Sequence, residues 1–91
     1  MKLEIIMSNK FKKDLKTAAK RNNDLGLLNE VVDTLASGLV LPPKYRDHEL
    51  TGDFSGFREC HIKPDWLLVY RVVEEKLVLL LFRTGTHSDL F

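Results

Sequence analysis

Residues 57–84 read FRECHIKPDWLLVYRVVEEKLVLLLFRT, and the fold follows from how this stretch is punctuated. Three β-rich runs, Phe57 to Ile62, Leu67 to Val73 and Leu77 to Thr84, are separated only by Lys63-Pro64-Asp65-Trp66 and by Glu74-Glu75-Lys76. Connections this short leave room for antiparallel neighbours alone, so the stretch predicts a three-stranded meander. Upstream, Pro42-Pro43 forbids helix, because each proline lacks an amide donor and the first restricts its neighbour. Before that boundary the hydrophobic period changes from two to 3.6. Leu28, Val31, Val32, Leu35 and Ala36 line one face of a helix from Leu25 to Ser37, which Gly38 ends as a left-handed cap. Phe11, Leu15, Ala18 and Ala19 do the same from Asn9 to Arg21, with Ser8 as N-cap and Asn22-Asn23-Asp24 as the stop. The opening Leu3-Glu4-Ile5-Ile6-Met7 reads as a short strand. The expectation is an α+β fold: an N-terminal strand, a two-helix hairpin, then the meander, with both helices on one face of the sheet.

Ninety-one residues make one domain, spanning 1–91, and exclude a multidomain enzyme. At 44% hydrophobic and 30% charged, the chain is too apolar for a disordered polymer and too charged for a membrane-embedded one. The longest apolar run, Leu77 to Phe82, falls far short of the ~20 residues a bilayer span needs. No small-residue cleavage site follows the interrupted apolar start, so a cytoplasmic location is expected, with no membrane partner. Cys60 stands alone, which rules out an internal disulfide and a cysteine cage for zinc. The net charge of +1 conceals a dipole: residues 1–22 hold seven Lys or Arg against Glu4 and Asp14, whereas residues 23–91 hold seven against eleven. A basic pole of +5 steers toward a polyanion.

The three histidines, His48, His61 and His87, all fall in loops or strand ends of the second half. Taken singly, each reads as a surface or hydrogen-bonded residue. Together with Asp65 across the Pro turn, Arg83 near the end of the last run and the aromatic Phe91, they form a set that metal-free RNA cleavage requires. One imidazole takes the proton of a ribose 2′-hydroxyl and another protonates the departing 5′-oxygen, a pairing open to a side chain that titrates near ~6.5. Arg83 would stabilise the phosphorane charge, Asp65 fix a histidine tautomer and Phe91 stack on a base. Lys12, Lys13, Lys16 and Lys20 share the polar face of the first helix, a solvated face or a set of phosphate contacts; Lys44 and Arg46 flank Tyr45 just before His48. Glu59 alternates onto the His61 face and reads as a surface carboxylate, Cys60 as a small buried group and Trp66 as packing.

Asp47-His48-Glu49-Leu50-Thr51-Gly52, the block Gly56 to Arg71 and the ending Arg83-Thr84-Gly85-Thr86-His87-Ser88-Asp89-Leu90-Phe91 closely resemble the YafQ branch of the RelE toxin superfamily. The resemblance implies a compact α+β fold and a type II toxin-antitoxin ribonuclease that cuts translated mRNA in the ribosomal A site. It implies no cofactor, and as partners a cognate antitoxin, the ribosome with its rRNA and mRNA, with the toxin alone monomeric and a higher-order complex formed with the antitoxin. It makes His48, His61, Asp65, Arg83, His87 and Phe91 the site, His87 and His48 being the acid/base pair in unassigned order. Lys12, Lys13, Lys16, Lys20, Lys44 and Arg46 become RNA contacts. Two other readings compete: a zinc hydrolase using the three histidines with Asp65, and a silent module acting through its partner or operator DNA, for which no DNA-reading helix pattern is present.

Overall fold

The computed structural model describes residues 2–91. Its elements are strand β1 (Glu4–Met7), helices α1 (Asn9–Lys20) and α2 (Leu25–Ala36), strands β2 (His48–Glu49), β3 (Arg58–Lys63), β4 (Trp66–Val73) and β5 (Val78–Gly85), and a final turn of helix, α3 (His87–Leu90). Three short 3₁₀ turns lie at Pro43–Tyr45, Gly52–Phe54 and Glu74–Lys76. The meander is present as β3-β4-β5, antiparallel throughout. Leu77, expected inside the last strand, instead closes the 74–76 turn in the left-handed region at φ 54°.

Two features of the sheet lie outside the sequence expectation. β1 pairs in parallel with β5, giving the order β1-β5-β4-β3-β2. The two-residue β2 pairs with β3, so His48 stands on a strand opposite Glu59 rather than in a loop.

Both helices pack on one face. Phe11 and Ala18 of α1 and Leu28, Val31, Val32, Leu35 and Ala36 of α2 bury against Cys60, Ile62, Leu68, Tyr70, Leu79 and Leu81. Ala19, expected on the buried stripe of α1, is exposed, because the stripe needs only Phe11, Leu15 and Ala18. Full burial and the carboxylates Asp47 and Glu59 push the Cys60 thiol up to about 12, so it stays neutral and unreactive.

Ser8 shows how α1 is aimed. Its hydroxyl accepts from the Phe11 amide at 3.0 Å, as an N-cap should, and donates to the Phe82 carbonyl at 2.6 Å. β1 covers β5 only as far as Leu81, and beyond it α1 takes over the open edge: the Asp14 carboxylate accepts the Thr84 amide at 3.1 Å. Ser8→Ala is expected to cost about 1–2 kcal/mol. A shift in denaturant midpoint at unchanged slope is the measurement.

A β-bulge then decides what the outer part of the sheet displays. The pairing steps from Tyr70↔Leu81 to Val69↔Arg83, leaving Phe82 as the extra residue. Without it, Arg83 would share the parity of Leu81 and face the helices. With it, Thr84 returns to the helix side, and Arg83 joins the opposite face with Val69.

Candidate active site

Following the ladder across that opposite face gives two rows of residues: His48, Glu59, Val69 and Arg83, and next to it His61, Leu67 and Gly85. α3 starts two residues beyond the second row.

The two rows bring a carboxylate between two imidazoles. His48 Nε2 lies 3.8 Å and His61 Nε2 3.6 Å from the two oxygens of Glu59, and the rings are 6.5 Å apart. Glu59 is 5% exposed, against the expectation of a surface carboxylate. Each ring is fixed from behind by the main chain. His48 Nδ1 donates to the Arg46 carbonyl at 2.8 Å and His61 Nδ1 to the Pro64 carbonyl at 3.2 Å. A carbonyl can only accept, so Nδ1 is the donor in both rings, and each Nε2 faces the Glu59 carboxylate, with which a proton on Nε2 would pair. Asp65, the expected tautomer-fixing group, does not do this. It sits exposed in the turn between β3 and β4, with no hydrogen bond or ion pair among the described residues. The backbone bend at Pro64 supplies the acceptor instead.

The loop leading to His48 is anchored by Asp47, which accepts from Tyr70 Oη at 2.6 Å and from Arg58 Nε at 3.3 Å. Burial and the Asp47 carboxylate hold the Tyr70 phenol well above its ordinary range, so it remains a donor.

His87 and Phe91 form the second group. His87 is exposed on α3 and its ring makes no hydrogen bond among the described residues; it lies 5.1 Å from the Phe91 ring. Phe91 also meets Phe54 edge-on at 5.1 Å, which carries the C-terminal turn across to the connection between β2 and β3. Thr86 and Asp89 close a capping box around α3, and Arg21, from the end of α1, grips Asp89 with two bonds of 2.6 and 3.3 Å. The Arg21 bond and the Thr86 amide hold the Asp89 carboxyl well below the usual range. A depressed carboxylate contributes stability above its unfolded pKa and loses it only as pH falls through the folded value. The turn carrying His87 therefore stays tied down throughout the range where histidines titrate.

Arg83 completes the first row at its backbone, but its guanidinium turns outward to α1. Nε and Nη2 donate to Asp14 at 2.8 and 3.2 Å. Arg83 and His48 are three strand spacings apart, about 14 Å at the backbone, and are not in contact. Asp14, Arg21, Glu59 and Asp89 are not legible as site residues in the sequence; only the alternation of Glu59 with His61, and the Thr-x-x-Asp spacing at residues 86–89, carry a local signal.

The grouping of His48, His61, His87 and Asp65 around one zinc is not assembled: among the described residues, no group of three or more His, Cys, Asp or Glu side chains is placed to hold a metal ion. No helix among them is long and apolar enough to cross a membrane. Lys12, Lys13, Lys16 and Lys20 are exposed along α1, and Lys44 and Arg46 are exposed before β2.

The fold defines a small α+β protein that groups two imidazoles around a buried carboxylate on the sheet face opposite α1 and α2. Residues 3–91 match the family model described as a bacterial toxin of type II toxin-antitoxin system, YafQ, and the chain belongs to that family. It is 39% identical over 89 residues to the mRNA interferase toxin YafQ of Escherichia coli K12, covering 97% of this chain and 95% of the relative. Among solved structures, a metal-bound toxin from Helicobacter pylori is 52% identical at a TM-score of 0.93, covering 98% of this chain and 99% of that one. YafQ in the E. coli DinJ-YafQ toxin-antitoxin complex is 38% identical at 0.90, covering 100% and 99%.

Proposed function

We propose that the chain is an endoribonuclease that cuts translated mRNA in the ribosomal A site and is held inactive by a cognate antitoxin. The observation that carries this reading is the placement of His48 and His61, each with Nδ1 held by a main-chain carbonyl and Nε2 turned toward buried Glu59, in two adjacent strand rows, the first ending at Arg83 and the second two residues before α3. The relatives' name, mRNA interferase toxin, and the solved DinJ-YafQ complex support it.

The chemistry follows from these groups. A neutral imidazole removes the 2′-hydroxyl proton. The oxygen attacks phosphorus, the bond to the 5′-oxygen breaks, and a second imidazole, carrying a proton, delivers it to that leaving oxygen. The products are a 2′,3′-cyclic phosphate and a 5′-hydroxyl. His48 and His87 form the acid/base pair, with each transfer worth about a hundredfold to ten-thousandfold. His61 and Glu59 support His48. Arg83, released from Asp14, stabilises the pentavalent phosphorus as a two-pronged donor, and Phe91 contacts the nucleotide. Asp65 lies beside the site at the turn that holds His61. No step passes through a metal.

The test adds purified protein to ribosomes stalled on a defined message and maps the new RNA ends. A cut within the A-site codon, bearing a 5′-hydroxyl, absent without ribosomes and unchanged by a zinc-selective chelator, is the expected result. Cleavage restored only by added zinc would overturn the metal-free mechanism.

Lys12, Lys13, Lys16 and Lys20 then serve as rRNA phosphate partners, with Lys44 and Arg46 nearer the message. Reversing charge at Lys13 and Lys16 together should weaken ribosome binding and flatten its dependence on log salt by roughly 0.7–0.9 for each phosphate no longer neutralised. Sedimentation with ribosomes across a salt series measures it.

A further inference from the structure

A cavity of about 600 Å³ lies between the first turn of α2, the Pro43–Tyr45 turn and the end of β3. Leu27, Tyr45 and Ile62 line it as apolar residues, and Lys44, Arg46 and Lys63 as cations. Its volume is that of a small-ligand site. No carboxylate lines it, and among the described residues none of the three cations is in an ion pair. This contrasts with Arg21, Arg58 and Arg83, each held by an aspartate.

The cavity is built onto the proposed reaction centre. His61 belongs to its wall, and the same imidazole turns Nε2 toward Glu59. Arg46 joins the two regions from the other side: its carbonyl accepts from His48 Nδ1, and the residue also lines the cavity. Its backbone is left-handed, at φ 50° and ψ 41°, a conformation unfavourable for a residue with a Cβ. The hydrogen bond from the Arg46 amide to the Pro43 carbonyl and the two preceding prolines hold it there. Lys44 is likewise placed before any ligand arrives, with Nζ 5.1 Å over the Tyr45 ring.

We propose that this cavity is a binding site for the phosphodiester backbone of single-stranded RNA, taking the nucleotide next to the cleaved linkage, with Lys63 as its principal contact and Lys44 and Arg46 beside it. The inference rests on the ribonuclease reading and adds a subsite to it. Unpaired cations around an apolar wall recognise phosphate and ribose, whereas of the two rings in the wall Tyr45 is covered by Lys44 and His61 is held by the Pro64 carbonyl. The subsite therefore holds the strand in register without reading base identity.

The test uses short synthetic messages on programmed ribosomes, with each phosphodiester flanking the cut replaced in turn by a neutral methylphosphonate. The wild-type chain should lose about tenfold in kcat/KM at one flanking linkage, the size of a single charge-assisted hydrogen bond. Lys63→Ala should lose about tenfold on the unmodified message, mainly through KM, and Lys63→Arg should recover most of it. The neutral linkage and Lys63→Ala together should cost no more than either alone. Losses that multiply at every linkage, or a Lys63→Ala chain within about twofold of wild type, would overturn the subsite while leaving the ribonuclease reading in place. A wild-type chain that cuts no message would overturn that reading, and the subsite with it. Lys63 is exposed and in no ion pair among the described residues, so its variants are expected to fold, which a denaturant unfolding curve checks.

Discussion

Replacing His87 by alanine is expected to lower message cleavage by about a hundredfold to ten-thousandfold, the range for one proton transfer, with almost no change in stability. The residue lies beyond β5, its ring is exposed, and its neighbour Phe91 retains the contact with Phe54. α3 itself is closed by Thr86, Asp89 and Arg21, none of which depends on the imidazole. Initial rates on programmed ribosomes, beside a denaturant unfolding curve, separate the two effects. Growth arrest on expression should vanish in parallel. A variant that cuts and arrests growth like wild type removes His87 from the mechanism.

Arg83→Ala should produce the second large effect, about a hundredfold to thousandfold loss in kcat, and here stability also falls. Asp14 is partly buried and would keep only the Thr84 amide, so the variant should unfold about 1–2 kcal/mol more easily. Asp14→Asn combined with Arg83→Ala should recover much of that stability without recovering cleavage, because the carboxylate that lost its partner is gone. Arg83→Lys should remain poor, since a single ammonium cannot reproduce the fork. If the double variant regains cleavage together with stability, Arg83 is structural and the developing charge is met elsewhere.

The parts of the fold that can be read from the chain are those encoded locally. Period-3.6 apolar positions, Ser8, the Asn22-Asn23-Asp24 stop and the two short connections act within a few residues of one another, and the helices and the meander follow from them. The position of β1 does not, because a parallel pairing with a strand 74 residues away leaves no trace in either neighbourhood. β2 is two residues long, too short to show a period. Within the site, residue type points to the histidines, Arg83 and Phe91, yet two partners are hidden for opposite reasons. Glu59 reads as a surface group because carboxylates are seldom buried unpaired, and the structure buries it by placing an imidazole on each side. Asp65 looks like the orienting acid because it follows His61 closely, but main-chain carbonyls, which every residue carries, hold both rings.

The pairing of β1 with β5 also has a consequence for biosynthesis. During translation the opening strand, with Ile5, Ile6 and Met7 uncovered, must wait for Val78 to Leu81 to emerge before it has a mate, and Asp14 and Arg21 wait longer still for Arg83 and Asp89. A nascent fragment thus carries an unfinished, apolar edge. The sheet is complete only when its last strand pairs beside the first.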